Sequence, residues 1–195
     1  MTNKHINGSN IGRLRPATYR DVESILSIGD SHDLRKKKSS GELRKGFLVY
    51  LFDKTEIEEM LHTPQDFLRV YDTPAGVDGY IAAYDKNRWL LKDPRLGLTI
   101  PVTPDAQQIL DDSYLYARHI AVRRHASSEV ASTIETEFFR EMKTQGYRRV
   151  IGEISLNPLN QRSLIYHLAR NFSLIGVNYD TDKKITWGVV CKELK

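Results

Sequence analysis

The stretch RRVIGEISLNPLNQRSLIYHLARNF, residues 148–172, decides how the rest of the chain is read. Val150, Ile151 and Ile154 form a short apolar run of strand-forming residues. Asn157-Pro158 ends it, because proline lacks a ladder donor and biases the residue before it away from helix. Beyond the break, Leu164, Ile165, Leu168 and Phe172 fall within roughly 100° of arc, which predicts a helix stripe facing a core. Asn160, Ser163 and His167 recur at spacings of three and four on its flank. A polar cluster beside a buried stripe, directly after a strand, has two readings: a site, or a border to the core.

Working outward, 195 residues suit one domain over 11–195 with a frayed polar tail at 1–10. Hydrophobic content of 40% and charged content of 28% are those of a globular protein that needs neither disulfides nor metal to build a core. The lone Cys191 excludes an internal disulfide, and no Cys/His cluster points to a metal. No apolar run reaches the roughly 18 residues of a membrane span, and the first ten residues lack the apolar segment of a signal peptide. The expectation is a cytoplasmic protein without a membrane partner.

The formal charge of +4 is concentrated in one place. Arg35, Lys36, Lys37, Lys38, Arg44 and Lys45 crowd a segment that reads either as a solvated loop or as a landing site for a phosphate-bearing ligand or an acidic partner. Aromatic residues are not interleaved with these cations, which argues against nucleic acid.

The remaining signals predict further elements. A short strand over 12–18 closes at Pro16, and Thr18 caps a helix carrying Val22, Ile25, Leu26 and Ile28. Residues 30–46 carry no periodicity, and 46–51 return to strand-like residues. Thr55 and Glu58 have capping-box spacing for a short helix to His62. Strands 67–71 and 79–84 are joined through Thr73-Pro-Ala-Gly76 by a longer hairpin loop. Residues 85–112 are irregular apart from a short helix from Pro104 to Leu110. A strand at 114–122 is followed by a helix capped at Ser127 or Ser128. Its buried stripe is Ala131, Ile134, Phe138 and Met142, and Gly146 stops it. Two strands, 173–179 and 184–191, pair antiparallel at the end. The fold class is therefore α/β with a mixed sheet, parallel where helix 128–145 crosses between strands 114–122 and 148–156.

This order and several residues resemble the GNAT superfamily of N-acetyltransferases. Leu14-Arg-Pro-Ala-Thr18 with Asp21 resembles its first strand and helix start, and Ile120-Ala121-Val122 the end of its fourth strand. Asn157-Pro-x-Asn160-x-x-Ser163 is similar to its fifth-strand exit. Together with Gly46-Phe-Leu48, that pattern resembles a branch with His at the usual tyrosine position. The resemblance implies a mostly antiparallel sheet whose fourth and fifth strands are parallel and splayed, with the pantetheine arm of acetyl-CoA, or of another acyl-CoA, lying between them. Ile120, Ala121, Val122, Asn160 and Ser163 would line that arm.

The pyrophosphate would sit at the helix start after the fourth strand, where unpaired N–H groups and the helix dipole favour an anion. Here that place runs from Arg123 through Ser127, Ser128, Glu129, Val130, Ala131 and Ser132. It departs from the family's Q/R-x-x-G-x-G/A pattern, because Val and Ser, or Ala and Ser in the other register, replace the glycines. The implied activity is acyl transfer to a primary amine of a small molecule or peptide. The alternative is a ligand-binding module with weakened or lost CoA binding. The resemblance implies His167 as proton donor to the leaving thiolate, with Tyr166 as fallback, and Glu153 or His119 as base. The acceptor, the acyl length and any homodimer stay open.

Overall fold

The structure, a computed structural model, describes residues 12–194; the tail expected at residues 1–10 lies outside the described residues. Strand β1 (Arg13–Pro16) runs into a single 3-10 turn (Tyr19–Asp21) and then helix α1 (Val22–Ser31). Arg15 grips Asp21 with two prongs, Nη1 to Oδ2 at 2.8 Å and Nη2 to Oδ1 at 2.9 Å. Asp21 Oδ2 also accepts from the backbone N–H and hydroxyl of Thr18. Led by the Arg15 bond, these contacts hold the Asp21 carboxyl below the usual range. The arginine, threonine and aspartate of the first motif are thus one clamp that sets how the chain leaves β1.

The other strands are β2 (Asp66–Thr73), β3 (Gly76–Asp85), β4 (Ile100–Pro101), β5 (Leu115–Val122), β6 (Arg149–Asn157), β7 (Ser173–Asp180) and β8 (Ile185–Glu193). The other helices are α2 (Ser40–Leu43), α3 (Lys54–His62), α4 (Lys86–Lys92), α5 (Ala106–Asp111), α6 (Ser128–Thr144) and α7 (Gln161–Leu168). The strands make one sheet in the order β1-β2-β3-β5-β6-β8-β7-β4. Neighbours are antiparallel except β5 and β6, which the crossover helix α6 leaves parallel, as expected.

On one face Ile134, Phe138 and Met142 of α6, spaced for one helix side, pack on Ile81, Ala83, Leu115 and Val150. Ala131, expected in the same stripe, is only half-buried. On the other face Val22, Ile25 and Ile28 of α1 and Ile57 and Met60 of α3 cover Val70, Tyr80, Tyr84 and Tyr116. Each such side chain contributes roughly 1.5–3 kcal/mol by leaving water.

Several local expectations give way. Residues 46–51 form no strand, only the bridge Asp33–Leu48; the sheet's edges lie at β1 and β4, so this segment has no ladder to join. Helix α3 is capped by Asp53, whose carboxylate accepts from Glu56 N at 2.8 Å, two residues before the expected Thr55. The β2–β3 hairpin closes through Pro74 and Ala75 alone, with Thr73 paired to Gly76 at φ +112°, which needs glycine. A 3-10 turn (Leu34–Lys36) and α2 interrupt residues 30–46. The irregular stretch before β5 contains α4, a 3-10 turn (Pro94–Leu98), β4 and α5.

Candidate active site

Strands β5 and β6 share only three residue pairs, Leu115–Val150, Tyr116–Ile151 and Ala117–Gly152. Beyond them β3 keeps β5 in register to Val122, and β8 holds β6 out to Asn157. The two parallel strands therefore part, and α6 and α7 start at the far ends of the opening. The departure begins at a bulge: Ala82 faces His119 while Ala83 faces Ala117, leaving Arg118 as the extra residue. In a regular strand, neighbours such as Arg118 and His119 would lie on opposite faces. The bulge instead brings both against Phe52, with the Arg118 guanidinium 4.6 Å and the His119 ring 4.5 Å from its centroid.

The segment after α1 crosses this opening. His32 Nε2 donates to the Val122 carbonyl at 2.8 Å. Asn160 Nδ2 donates to the Phe47 carbonyl at 2.8 Å, and Arg162 reaches the Lys45 carbonyl at 3.2 Å. Gly46-Phe47-Leu48 and Asn157-Pro158-x-Asn160, read separately in the sequence, are therefore in direct contact.

Helix α7 differs from expectation. Ile165 and Leu168 are 58% and 50% exposed, so the predicted apolar stripe does not face the core. Only Leu164 and Phe172 do, against Ile154 and Val190. Phe172 follows the helix through Asn171, whose φ of 61° ends the helical run. The face that docks is polar. Asn160 caps the helix by accepting from Ser163 N at 3.3 Å. Tyr166 Oη shares its one proton between the Ala131 carbonyl at 3.1 Å and Glu135 Oε2 at 3.3 Å, tying α7 to α6. Arg170 adds an ion pair to Glu135 at 2.7 Å and lies 3.7 Å over the Tyr166 ring. Burial nevertheless pushes the Glu135 carboxyl up to about 7.

Asn160, Ser163 and His167 do come together, as their spacing implied. His167 Nδ1 lies 2.7 Å from the Ser163 carbonyl and 3.4 Å from Ser163 Oγ. A carbonyl only accepts, so the ring proton sits on Nδ1 and Nε2 is bare. Burial, opposed by the Ser163 bond, lowers the His167 pKa and favours this neutral form. His119 is fully buried, with Nδ1 3.2 Å from Tyr80 Oη, and burial depresses its pKa well below the ordinary value.

At the start of α6, Ser127 is the N-cap, Ser127 and Glu129 are exposed, and Val130 packs toward the core beside Ile120 and Val122. Ser128 is the first helical residue, and Ser132 is half-buried one turn on. Arg123 turns away, donating to the Val77 carbonyl at 2.6 Å. Arg124 instead turns toward the segment after α1 and donates to the Ser31 carbonyl at 2.6 Å. There it shares surroundings with Lys37, whose pKa is lowered by burial and then by Arg124 and Lys45. With Arg162 near His32, part of the basic run is gathered at the mouth of the gap. Arg35 and Lys36 are paired with Asp33 and Asp30.

Glu153 points to the face opposite α6, where Ala121 also lies. Tyr116 Oη donates to its Oε2 at 2.7 Å and Asn178 Nδ2 to its Oε1 at 2.6 Å. Burial raises its pKa, partly opposed by these two donors. Sequence reasoning missed Tyr50, Arg95, Tyr116, Asn178, Asp180 and Trp187 around this carboxylate. Only the alternation of Trp187 and Val189 along β8 hinted at one of them. Among the described residues no group of three His, Cys, Asp or Glu side chains is placed to hold a metal, and no helix is long and apolar enough to cross a membrane.

No protein-family model and no curated protein matches the chain. Solved structures do. An N-acetyltransferase from Staphylococcus aureus Mu50 superposes with a TM-score of 0.60 at 18% identity, covering 94% of this chain and 99% of that one. The ribosomal-protein-S18-alanine N-acetyltransferase of Escherichia coli gives 0.62 at 7% identity, covering 94% of each. A PaiA N-acetyltransferase from Thermoplasma acidophilum, solved in complex with coenzyme A, gives 0.60 at 10% identity, covering 93% and 98%. The chain therefore has the GNAT acyltransferase fold, with a mixed, mostly antiparallel sheet whose parallel pair is β5 and β6. Identities this low speak for the fold alone.

Proposed function

We propose that this protein is an N-acyltransferase that moves an acetyl or other acyl group from acyl-CoA to a primary amine. The observation that carries the reading is the parting of β5 and β6 after three residue pairs, with the N-terminus of α6 at the opening. Strand edges in such a gap offer backbone donors and acceptors to the amide-bearing pantetheine arm. The CoA complex among the similar structures supports the same ligand class. Ile120, Ala121 and Val122 line one side of the arm, and Asn160 and Ser163 the start of α7 at the other.

The phosphates lie at Ser127–Ser132, whose helix start supplies N–H donors and a partial positive charge. Arg124, Arg162, Lys37 and Lys45 supply the countercharge that the missing glycines cannot, since glycine contributes only close backbone approach.

In the transfer, the amine nitrogen attacks the thioester carbonyl, a C–N bond forms and the C–S bond breaks. Glu153, a buried carboxylate with a raised pKa, takes the amine's proton. The leaving thiolate, of ordinary pKa about 8.5, departs without a dedicated acid. His167, with Nδ1 held by Ser163, accepts a hydrogen bond at Nε2 from the pantetheine rather than donating a proton, and the Tyr166 hydroxyl is engaged with α6. His119 is a positioning residue between Tyr80 and the segment around Tyr50.

Calorimetric titration with acetyl-CoA tests the reading, followed by thiol release across a panel of amines. The expected result is saturable binding, weakened at least ~tenfold and with a reduced salt dependence in an Arg124→Ala, Arg162→Ala double variant. No heat at millimolar acetyl-CoA would reject the proposal. Binding without thiol release for any amine would leave the ligand-binding module.

A further inference from the structure

Beside Glu153, on the face away from α6, the sheet and the segment after α1 build a box whose walls accept and scarcely donate. Its floor is Trp187 of β8 with Asn178 directly opposite on β7. Asn178 Nδ2 is committed to the Glu153 carboxylate at 2.6 Å, which turns its Oδ1 the other way. That Oδ1 has no partner although Asn178 is only 4% exposed. Asp180, on the same face, takes a hydrogen bond from Tyr50 Oη. The Tyr50 ring stacks on Trp187 with centroids 6.1 Å apart and an interplanar angle of 19°. Two carboxylates, one orphaned amide oxygen and two π faces thus converge. A buried acceptor without a donor has given up its water and gained nothing in return, so the site calls for a donor.

Two of the chain's own cations already crowd this place. The Arg95 guanidinium lies 5.4 Å from the Tyr50 centroid and 5.9 Å from that of Trp187, and Lys183 Nζ is 4.8 Å from Tyr50. Arg95 fits the box poorly. Its hydrogen bonds all go to Asp93, two residues earlier on the same turn. Its Nη1 stops 3.5 Å from Asp180 Oδ2 and is itself without a hydrogen-bond partner. It rests on the sheet by stacking and charge, and its withdrawal with Asp93 breaks no hydrogen bond to the sheet.

We propose that the pocket of Tyr50, Glu153, Asn178, Asp180 and Trp187 binds a cationic primary amine that carries no carboxylate, and that Arg95 fills the pocket until the amine displaces it. An ammonium offers three donors, enough for Asn178 Oδ1, Asp180 and Glu153 at once, where the planar guanidinium makes only a 3.5 Å ion-pair contact with Asp180 and hydrogen-bonds to none of the three. With Arg95 and Asp93 withdrawn, a carboxylate on the ligand would meet Asp180 and Glu153 against Lys183 alone, a net negative surrounding. Trp187 Nε1, also buried and unpartnered, is the one unpaired donor on the sheet side, and it suits a hydroxyl or carbonyl oxygen. As the acceptor class for acyl transfer this rests on the function proposed above; as a binding site it does not.

The test uses the full chain and the indole N–H resonance of Trp187, told from that of Trp89, the only other tryptophan, by a Trp89→Phe variant. Butylamine and 4-aminobutyrate, which differ by one carboxylate, are titrated separately with and without saturating CoA. Butylamine should move the Trp187 resonance at concentrations at least ~tenfold lower than 4-aminobutyrate. Arg95→Gln should tighten butylamine, and Asp180→Asn, which keeps an acceptor for Tyr50, should weaken it severalfold. Equal or tighter binding of 4-aminobutyrate overturns the proposal, as does weaker butylamine binding in Arg95→Gln. Should Arg95→Gln not fold, unchanged affinity in Asp180→Asn overturns it instead. An unmoved Trp187 resonance in both arms rejects the site. A titration of acetyl-CoA on the same sample then says separately whether the acyl-transfer reading stands.

Discussion

Asn160→Ala is the sharpest single perturbation of the candidate site, because one side chain there makes two different bonds. Its Oδ1 accepts from Ser163 N and caps α7, while its Nδ2 donates to the Phe47 carbonyl across the gap. Losing an N-cap costs about 1 kcal/mol. Leaving the Phe47 carbonyl buried and unpaired costs about 1–3 kcal/mol more. The expected loss is therefore about 2–4 kcal/mol, since the residue is 7% exposed and water cannot readily substitute. For a chain of this size that lowers Tm by roughly 4–16 °C. Urea denaturation read by circular dichroism measures it, and Asn160→Ser divides it. Serine keeps a capping oxygen but cannot reach Phe47, so it should lose only the second part. A loss below ~0.5 kcal/mol in Asn160→Ala refutes the contact between the two motifs. Wild-type stability in Asn160→Ser refutes the Phe47 arm alone.

Three further outcomes follow from particular residues. Burial lifts Glu135 to about 7 from the ordinary 4.5, so between those values the folded chain holds a proton that the unfolded chain has released. Stability should therefore fall as pH rises through that window, by up to about 3 kcal/mol, and Glu135→Gln should flatten the slope; a wild-type slope of opposite sign contradicts the burial argument. A Cβ on Gly79 would lie 2.7 Å from Ile134 Cδ1 and 3.0 Å from the Ala121 carbonyl. Gly79→Ala should then destabilise by about 1–3 kcal/mol in the same denaturation assay, whereas a neutral result would mean that α6 can slide. Glu153→Gln should lower kcat by roughly 10²–10⁴-fold and remove the acid limb of the pH–rate profile, with acetyl-CoA affinity unchanged. An intact acid limb would remove Glu153 from the role of base.

How much of this was legible in the sequence depended on whether the deciding contact was local. Ile134, Phe138 and Met142 repeat along one helix, and the burial of that face follows from their spacing. Arg15, Thr18 and Asp21 lie within seven residues and form one clamp. Ile165 and Leu168 show the limit. Their spacing is as regular as that of α6, but periodicity says which residues share a face, not what covers it. On α7 the covering comes from residues 45–47 and from Ala131 and Glu135, more than thirty positions away in either case. That Arg118 and His119 share a neighbour is hidden from the sequence for a related reason, because the bulge belongs to the register between β3 and β5 rather than to either strand alone.

The choice between His167 and Tyr166 turns on the same distinction carried into chemistry. Spacing placed His167 with Asn160 and Ser163, and the three do meet. Spacing is silent on which ring nitrogen carries the proton, since that is set by the partner of the other nitrogen. Here the partner is a carbonyl one turn back, at 2.7 Å. A histidine so held can accept at Nε2 but has no proton there to give, and burial opposes the second proton that would make it an acid. Tyr166 has a proton, but α6 holds it through Ala131 and Glu135. Neither side chain is set as donor to a thiolate. In the proposed function the proton therefore goes to Glu153, a carboxylate raised by burial and held by Tyr116 and Asn178. The weight of the proposed chemistry thereby moves from the helix after the break to the strand before it.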